Sequence, residues 1–312
     1  MHRTLVLAVA LLAATTGCAA FTDEGPGNGP GVEVVAAFYP LQFVAQRVAG
    51  GHAAVVDLTK PGSEPHDLEL SVAQTARVTD ADLIVYEKGL QAAVDSAVEQ
   101  ASGVPAVDAG AVAGLEPISH GGHDDADHDS PGAEEPSDLG DLDPHFWQDP
   151  LKLAAVADAV AEELAEIDPD HADDFRADAQ RLDAELTRLD QEYAAGLQGC
   201  ARDTIVVSHN AFGYLSRYGL TIEPISGLSP DAEPTPADLA RLQQLIASEG
   251  ITTVFGERLV SPKLAQSLAD DMGVSARILD RIEGLSSGTS GEDYLSLMRQ
   301  NLTALREANG CP

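Results

Sequence analysis

Residues 169–198 read Pro-Asp-His-Ala-Asp-Asp-Phe-Arg-Ala-Asp-Ala-Gln-Arg-Leu-Asp-Ala-Glu-Leu-Thr-Arg-Leu-Asp-Gln-Glu-Tyr-Ala-Ala-Gly-Leu-Gln. Phe175, Leu182, Leu186, Leu189, Tyr193 and Leu197 recur at steps of three, four and seven, which is the apolar stripe of a helix with charge on its other faces. Pro169 suits the first turn, Asp168 can cap it and Gly199 can stop it. At 1.5 Å per residue the stretch predicts a helix of roughly 45 Å, about the span of a whole domain. Short apolar strands alternate with helices on both sides, so the stretch reads as a bridge between two lobes; one long packing helix in a single domain is the alternative.

Before the bridge, the pattern predicts strands at 32–38, 55–58, 81–86 and 104–107, with helices at 41–49, 71–79, 90–101 and 151–167. After it come strands at 204–208, 220–225, 252–255 and 276–279, with helices starting at Asn210 and at 237–248, 262–272 and 292–308. The expected organisation is an α/β fold with two lobes of parallel sheet, 32–168 and 199–312, joined by the helix 169–198. Residues 1–18 read as an export leader: His2 and Arg3 make a basic start, and Leu5 to Ala14 is an apolar run too short to span a membrane. Thr15-Thr16-Gly17-Cys18 resembles a bacterial lipobox, with Cys18 as the lipidation site and 19–31 as a polar linker; simple cleavage near Ala20 is the alternative.

The chain of 312 residues carries 51 acidic and 18 basic side chains, a formal net charge of −33. That balance disfavours nucleic acid as a partner, since phosphate binding needs Lys and Arg. The acidity itself reads first as solvation. With Cys18 assigned to the leader, Cys200 and Cys311 remain as an even pair, and an oxidising compartment predicts a disulfide between them.

Residues 116–143 break the α/β pattern, with ten acidic and no basic side chains and with His120, His123 and His128 close together. No apolar periodicity survives, so the segment reads as a flexible loop, either a solvated acidic loop or a loose metal-capture element. Four potential metal ligands fall at strand ends or on stiff loops: His66, His145, His209 and Asp280. In parallel α/β sheets ligands bind beyond the carboxyl ends of the strands, and three imidazoles with one carboxylate fit a four-coordinate zinc site. Spacing alone does not bring the four together. Glu257 also ends a strand and is the substitute carboxylate, with support of a ligand or helix capping as its other role.

Several longer motifs converge on one resemblance. They are Phe38-Tyr39-Pro40, Gly62-Ser63-Glu64-Pro65-His66, Asp143-Pro144-His145-Phe146-Trp147, Ser208-His209-Asn210-Ala211-Phe212-Gly213-Tyr214, Glu233-Pro234-Thr235-Pro236 and Leu279-Asp280. Across nearly the whole mature chain the sequence resembles the metal-specific solute-binding proteins of bacterial ABC importers, the zinc and manganese uptake family. The resemblance implies two α/β lobes bridged by one long helix with the metal in the cleft, and ligand roles for His66, His145, His209 and Asp280. Histidine as third ligand and a His-rich acidic loop are zinc-type features. Arg281 departs from the Pro that many members carry after the aspartate.

The function implied is an exported zinc receptor, on the cell surface through a lipid on Cys18 or periplasmic, monomeric, and delivering zinc to an ABC permease. A manganese or mixed-metal receptor and a surface adhesin or metal buffer are the alternatives. A zinc hydrolase is disfavoured, because Asp280 would close the fourth coordination position and the chain has no His-Glu-x-x-His helix.

Overall fold

A computed structural model describes residues 31–118, 139–228 and 233–312. The leader, Cys18, nearly all of the linker, and His120, His123 and His128 lie outside the described residues. Residues 31–312 form one compact unit.

The first half runs β1 (Val32–Ala36), α1 (Tyr39–Ala49), β2 (Ala53–Asp57), α2 (Val72–Asp80), β3 (Leu83–Tyr86), α3 (Ala92–Gln100), β4 (Ala106–Asp108) and α4 (Ala109–Ala113). Its four parallel strands lie in the order β2-β1-β3-β4. Val34, Val35 and Ala36 are fully buried, as expected for a strand covered on both faces. Pro40 opens α1, where a missing N–H costs nothing, and Gly50 closes it in the left-handed region. Ser71 and Gln74 form a reciprocal capping box on α2.

The two ends of the acidic segment pair with each other. Glu116–Pro117 (β5) and Leu142–Asp143 (β6) pair antiparallel, so the chain leaves and returns at one place. Neither strand was legible, because two residues are too few to show a period.

Two helices follow, α5 (Pro150–Ile167) and α6 (Ala172–Gly196), with a 3-10 turn over Pro169–His171 between them. The bridge is therefore shorter at its start than predicted, and it packs along α5 rather than standing alone. Its predicted stripe is its buried face: Phe175, Leu182, Leu186, Leu189 and Tyr193 are all fully buried.

The second half runs β7 (Thr204–Val207), β8 (Thr221–Pro224), α7 (Pro236–Glu249), β9 (Thr253–Gly256), α8 (Lys263–Met272), β10 (Ser275–Ile278) and α9 (Tyr294–Asn309). Its sheet is again parallel, in the order β10-β9-β7-β8. The helix expected from Asn210 is instead a 3-10 segment, Gly213–Tyr218, ended by Gly219 in the left-handed region. Cys200 and Cys311 form a disulfide, tying the end of the bridge to the residues after α9.

One hydrophobic cluster contains Val34 and Leu83 from the first half, Leu182 and Leu189 from α6, and Ile205, Phe255 and Leu305 from the second. Trp147, fully buried, joins the halves. Its ring packs edge-on against Phe38 with centroids 5.0 Å apart, its Nε1 donates to the Arg281 carbonyl (2.8 Å), and its own carbonyl accepts from Tyr294 Oη (2.6 Å). Among the described residues no helix is long and apolar enough to cross a membrane.

Candidate metal centre

In each sheet the chain order reverses between the first and third strands, β1/β3 and β7/β9, and such switch points are where open α/β sheets bind ligands. His209 leaves the end of β7 and is 1% exposed. Its Nδ1 lies 2.8 Å from both oxygens of Glu257, which leaves the neighbouring β9, and Glu257 also accepts the His209 backbone N–H (3.1 Å). A carboxylate only accepts, so Nδ1 carries the proton and Nε2 keeps its lone pair. Burial pulls the His209 pKa below its ordinary value, outweighing the Glu257 contact.

His145 follows β6 and is fully buried. Asp143 Oδ1 accepts both its backbone N–H (3.0 Å) and its Nδ1–H (2.8 Å), again turning Nε2 outward. Tyr214 Oη donates to the Asp143 carbonyl (2.8 Å) and accepts the Glu116 N–H (3.0 Å), which fixes the root of the acidic loop beside the site.

His66 sits on the loop after β2. Gly62 there has φ +86°, a conformation only glycine adopts freely, and its N–H donates to the Leu285 carbonyl (2.7 Å) in the second half. Glu64 Oε1 accepts the His66 backbone N–H (3.3 Å), and Gln91 Nε2 donates to the Pro65 carbonyl (3.0 Å). Burial alone would lower the His66 pKa, but Glu283, by charge and contact, and then Glu64 turn the net direction upward.

The three imidazoles meet. His66, His145, His209 and Glu283 each offer a ligand atom within 4.8 Å of the others. Glu283 Oε1 is 3.6 Å from His66 Nε2 and 3.5 Å from His145 Nε2. All three Nε2 atoms and Glu283 Oε1 are buried with no hydrogen-bond partner among the described residues. Buried polar atoms normally find partners, and four orphans facing one point have the donor chemistry of an N₃O cation site. Burial pushes the Glu283 pKa up, yet Arg281, His66 and His145 together hold it well below the usual carboxylate range. The carboxylates of Glu64, Asp143, Glu257 and Glu283 outnumber the one buried guanidinium of Arg281, an imbalance that a divalent cation would offset.

Asp280 is not in this group. Its Oδ1 accepts the Ile282 N–H (2.9 Å), its Oδ2 is ion-paired with Arg258 Nε (2.7 Å), and its backbone is clamped by Asn301 on α9 (2.8 and 2.6 Å). Asp280, expected as the fourth ligand, thus stands outside the cluster, and Glu283 is the carboxylate that faces the imidazoles. Asp280 shapes a tight turn through Ile282 (φ +64°), and the turn delivers Glu283. Glu257, the other candidate, orients His209 instead of facing the cluster. Glu283 carried no strand-end signal; the one available clue was a second acidic residue in the same loop as Arg281.

Comparison with known proteins identifies the family. The family model described as zinc-uptake complex component A, periplasmic, matches residues 34–308. The zinc-binding protein AdcA of Streptococcus pyogenes serotype M1 is 32% identical over 285 residues, covering 88% of this chain and 55% of that protein. The chain thus spans about half the length of the curated AdcA relatives it matches. The Zn(II)-bound ZnuA-like domain of Streptococcus pneumoniae AdcA is similar in structure, with TM-score 0.73, 31% identity, and 89% of this chain and 99% of that one covered. So is the laminin-binding protein Lmb of Streptococcus agalactiae, titled a bifunctional protein with adhesin and metal transporting activity: TM-score 0.76, 30% identity, 89% and 99% covered. The chain, two parallel sheets joined by a long helix around a His₃-carboxylate cluster, belongs to the ZnuA family of zinc-uptake components.

Proposed function

We propose that this protein is an extracytoplasmic receptor that captures one zinc ion between its two sheets and presents it to the permease of an ABC importer. The ligands are His66, His145, His209 and Glu283. The observation that carries the reading is the set of four buried, unpartnered ligand atoms within 4.8 Å of one another. Three neutral imidazoles and one carboxylate match zinc, whose structural sites are four-coordinate and rich in nitrogen. The zinc-binding names of the relatives and the family description support the cargo and the partner class. Export with an anchor on Cys18, and loose capture by His120, His123 and His128, complete the proposal and rest on the sequence.

The continuous core and the pairing of α6 with α5 argue against wide opening of the two halves. Capture then falls to the loops that carry the ligands, above all the one bearing His66, whose side chain is 18% exposed while those of His145 and Glu283 are fully buried. The test is metal analysis of the leader-free protein with zinc and manganese competing against a chelator. One zinc held against excess manganese is the expected result. Preference for manganese overturns the cargo, and no tight metal overturns the site.

A further inference from the structure

Arg281 is 2% exposed, and its guanidinium meets carboxylates from three separate segments. Nη2 lies 2.6 Å from Glu64 Oε2, Nε 2.9 Å from Glu257 Oε2, and Nη1 2.9 Å from Glu283 Oε2. The last is an ion pair too bent for a hydrogen bond. Glu64 holds the backbone of His66, Glu257 holds the ring of His209, and Glu283 is itself in the cluster. The Arg281 carbonyl accepts from Trp147 Nε1 and Gln148 Nε2 (2.8 and 2.6 Å), just after His145. All four ligand segments are tied to this one residue.

The consequence for Glu283 is a division between its two oxygens: Oε2 faces the guanidinium and Oε1 faces the imidazoles. We propose that Arg281 is a specificity-determining positioning residue, which by retaining Oε2 confines Glu283 to one oxygen on the metal and the site to four donors. This inference rests on the zinc reading above. Zinc is satisfied by four donors, whereas manganese favours a larger, oxygen-rich octahedral set. A second oxygen from the same carboxylate is the nearest extra donor. Drawing it to the metal would strip a buried guanidinium of a counter-charge, which is costly in a site closed to water.

The test compares wild type with Arg281→Gln and Arg281→Lys, using cobalt(II) absorption as the probe of coordination and zinc and manganese affinities as the probe of selectivity. Wild type should give the intense visible band of four-coordinate cobalt. Both variants should give a weaker band of higher coordination; zinc affinity should fall roughly 10–100-fold, the usual range for losing a residue that supports a metal ligand, and manganese affinity should fall less, so that the zinc-over-manganese ratio drops. If Arg281→Gln fails to fold, Arg281→Lys decides, since it keeps the charge but cannot span three carboxylates. An unchanged band and ratio in a folded variant overturns the role of Arg281 and leaves the zinc site standing. Failure of wild type to bind zinc or cobalt overturns the site itself, and the inference with it.

Discussion

The Nδ1 of His209 lies 2.8 Å from both carboxylate oxygens of Glu257, and the two residues leave adjacent strands of the same sheet. The contact fixes the tautomer and aim of the imidazole. Glu257→Ala should therefore weaken zinc binding by about 10–100-fold, while His209→Ala should abolish tight binding. Calorimetry on the two variants checks the order; equal losses would make Glu257 a ligand rather than a support.

Glu283 and Asp280 separate cleanly by readout. Glu283→Gln should lose tight zinc binding while the protein still folds, because the change keeps the shape. Asp280→Asn should keep the metal but lower stability by about 1–3 kcal/mol, since it leaves Arg258 without its buried counter-charge. Chelator competition and thermal melts distinguish them. Loss of zinc in Asp280→Asn with Glu283→Gln unaffected would return the ligand role to Asp280.

The raised pKa of His66 sets the pH dependence. Zinc must displace a proton from this ring wherever the ring is charged, so apparent affinity should fall as pH drops through the raised value. That decline begins above the ordinary histidine pKa of about 6.5, with a slope of up to about tenfold per pH unit for one proton. His209, shifted the other way, stays neutral there and adds nothing until lower pH. Zinc titrations from pH 8 to pH 5.5 check the sign; a flat response down to pH 6 would contradict it. Without metal the linkage runs differently. Glu283, depressed, stabilises the fold above the ordinary carboxylate pKa and loses this as pH falls further, whereas His66 stabilises it at low pH and loses this as pH rises through its folded value.

Cys200 and Cys311 are joined across a sequence separation of 111. Replacing both with Ser should cost about 2–4 kcal/mol, by releasing loop-closure entropy in the unfolded chain. Zinc affinity should change little, since the bridge ties α6 to the chain end and carries no ligand. Denaturant melts with and without reductant measure the cost.

The sheets, the bridge and the three histidines were legible in the sequence for physical reasons. Buried parallel strands read as apolar runs, α6 carries an unbroken stripe, and His66 and His145 stand beside prolines on stiff loops. The carboxylate was not legible in the same way. Asp280 occupies the strand-end position, yet its side chain turns back on its own backbone and toward Arg258. A left-handed turn at a β-branched residue, Ile282, has no signature in residue types, and it decides which acid reaches the cluster. The β5/β6 pair escaped notice because two residues per strand show no alternation.

The matching strand orders of the two sheets carry one more meaning. The Leu58 N–H bonds the Ala36 carbonyl as the Ile225 N–H bonds that of Val207, which sets the two sheets in step. Counting onward from Ala36 and Val207, and from their partners Val85 and Phe255, puts Phe38 where His209 stands and Glu87 where Glu257 stands. Glu87 is buried with neither carboxyl oxygen hydrogen-bonded among the described residues, and burial drives its pKa far up, toward the neutral acid. The two halves thus differ at corresponding corners of one strand order. One corner sets an acid beside an imidazole that it steers; the other sets an acid where a core aromatic occupies the imidazole's position, and that half presents His66 and His145 from loops.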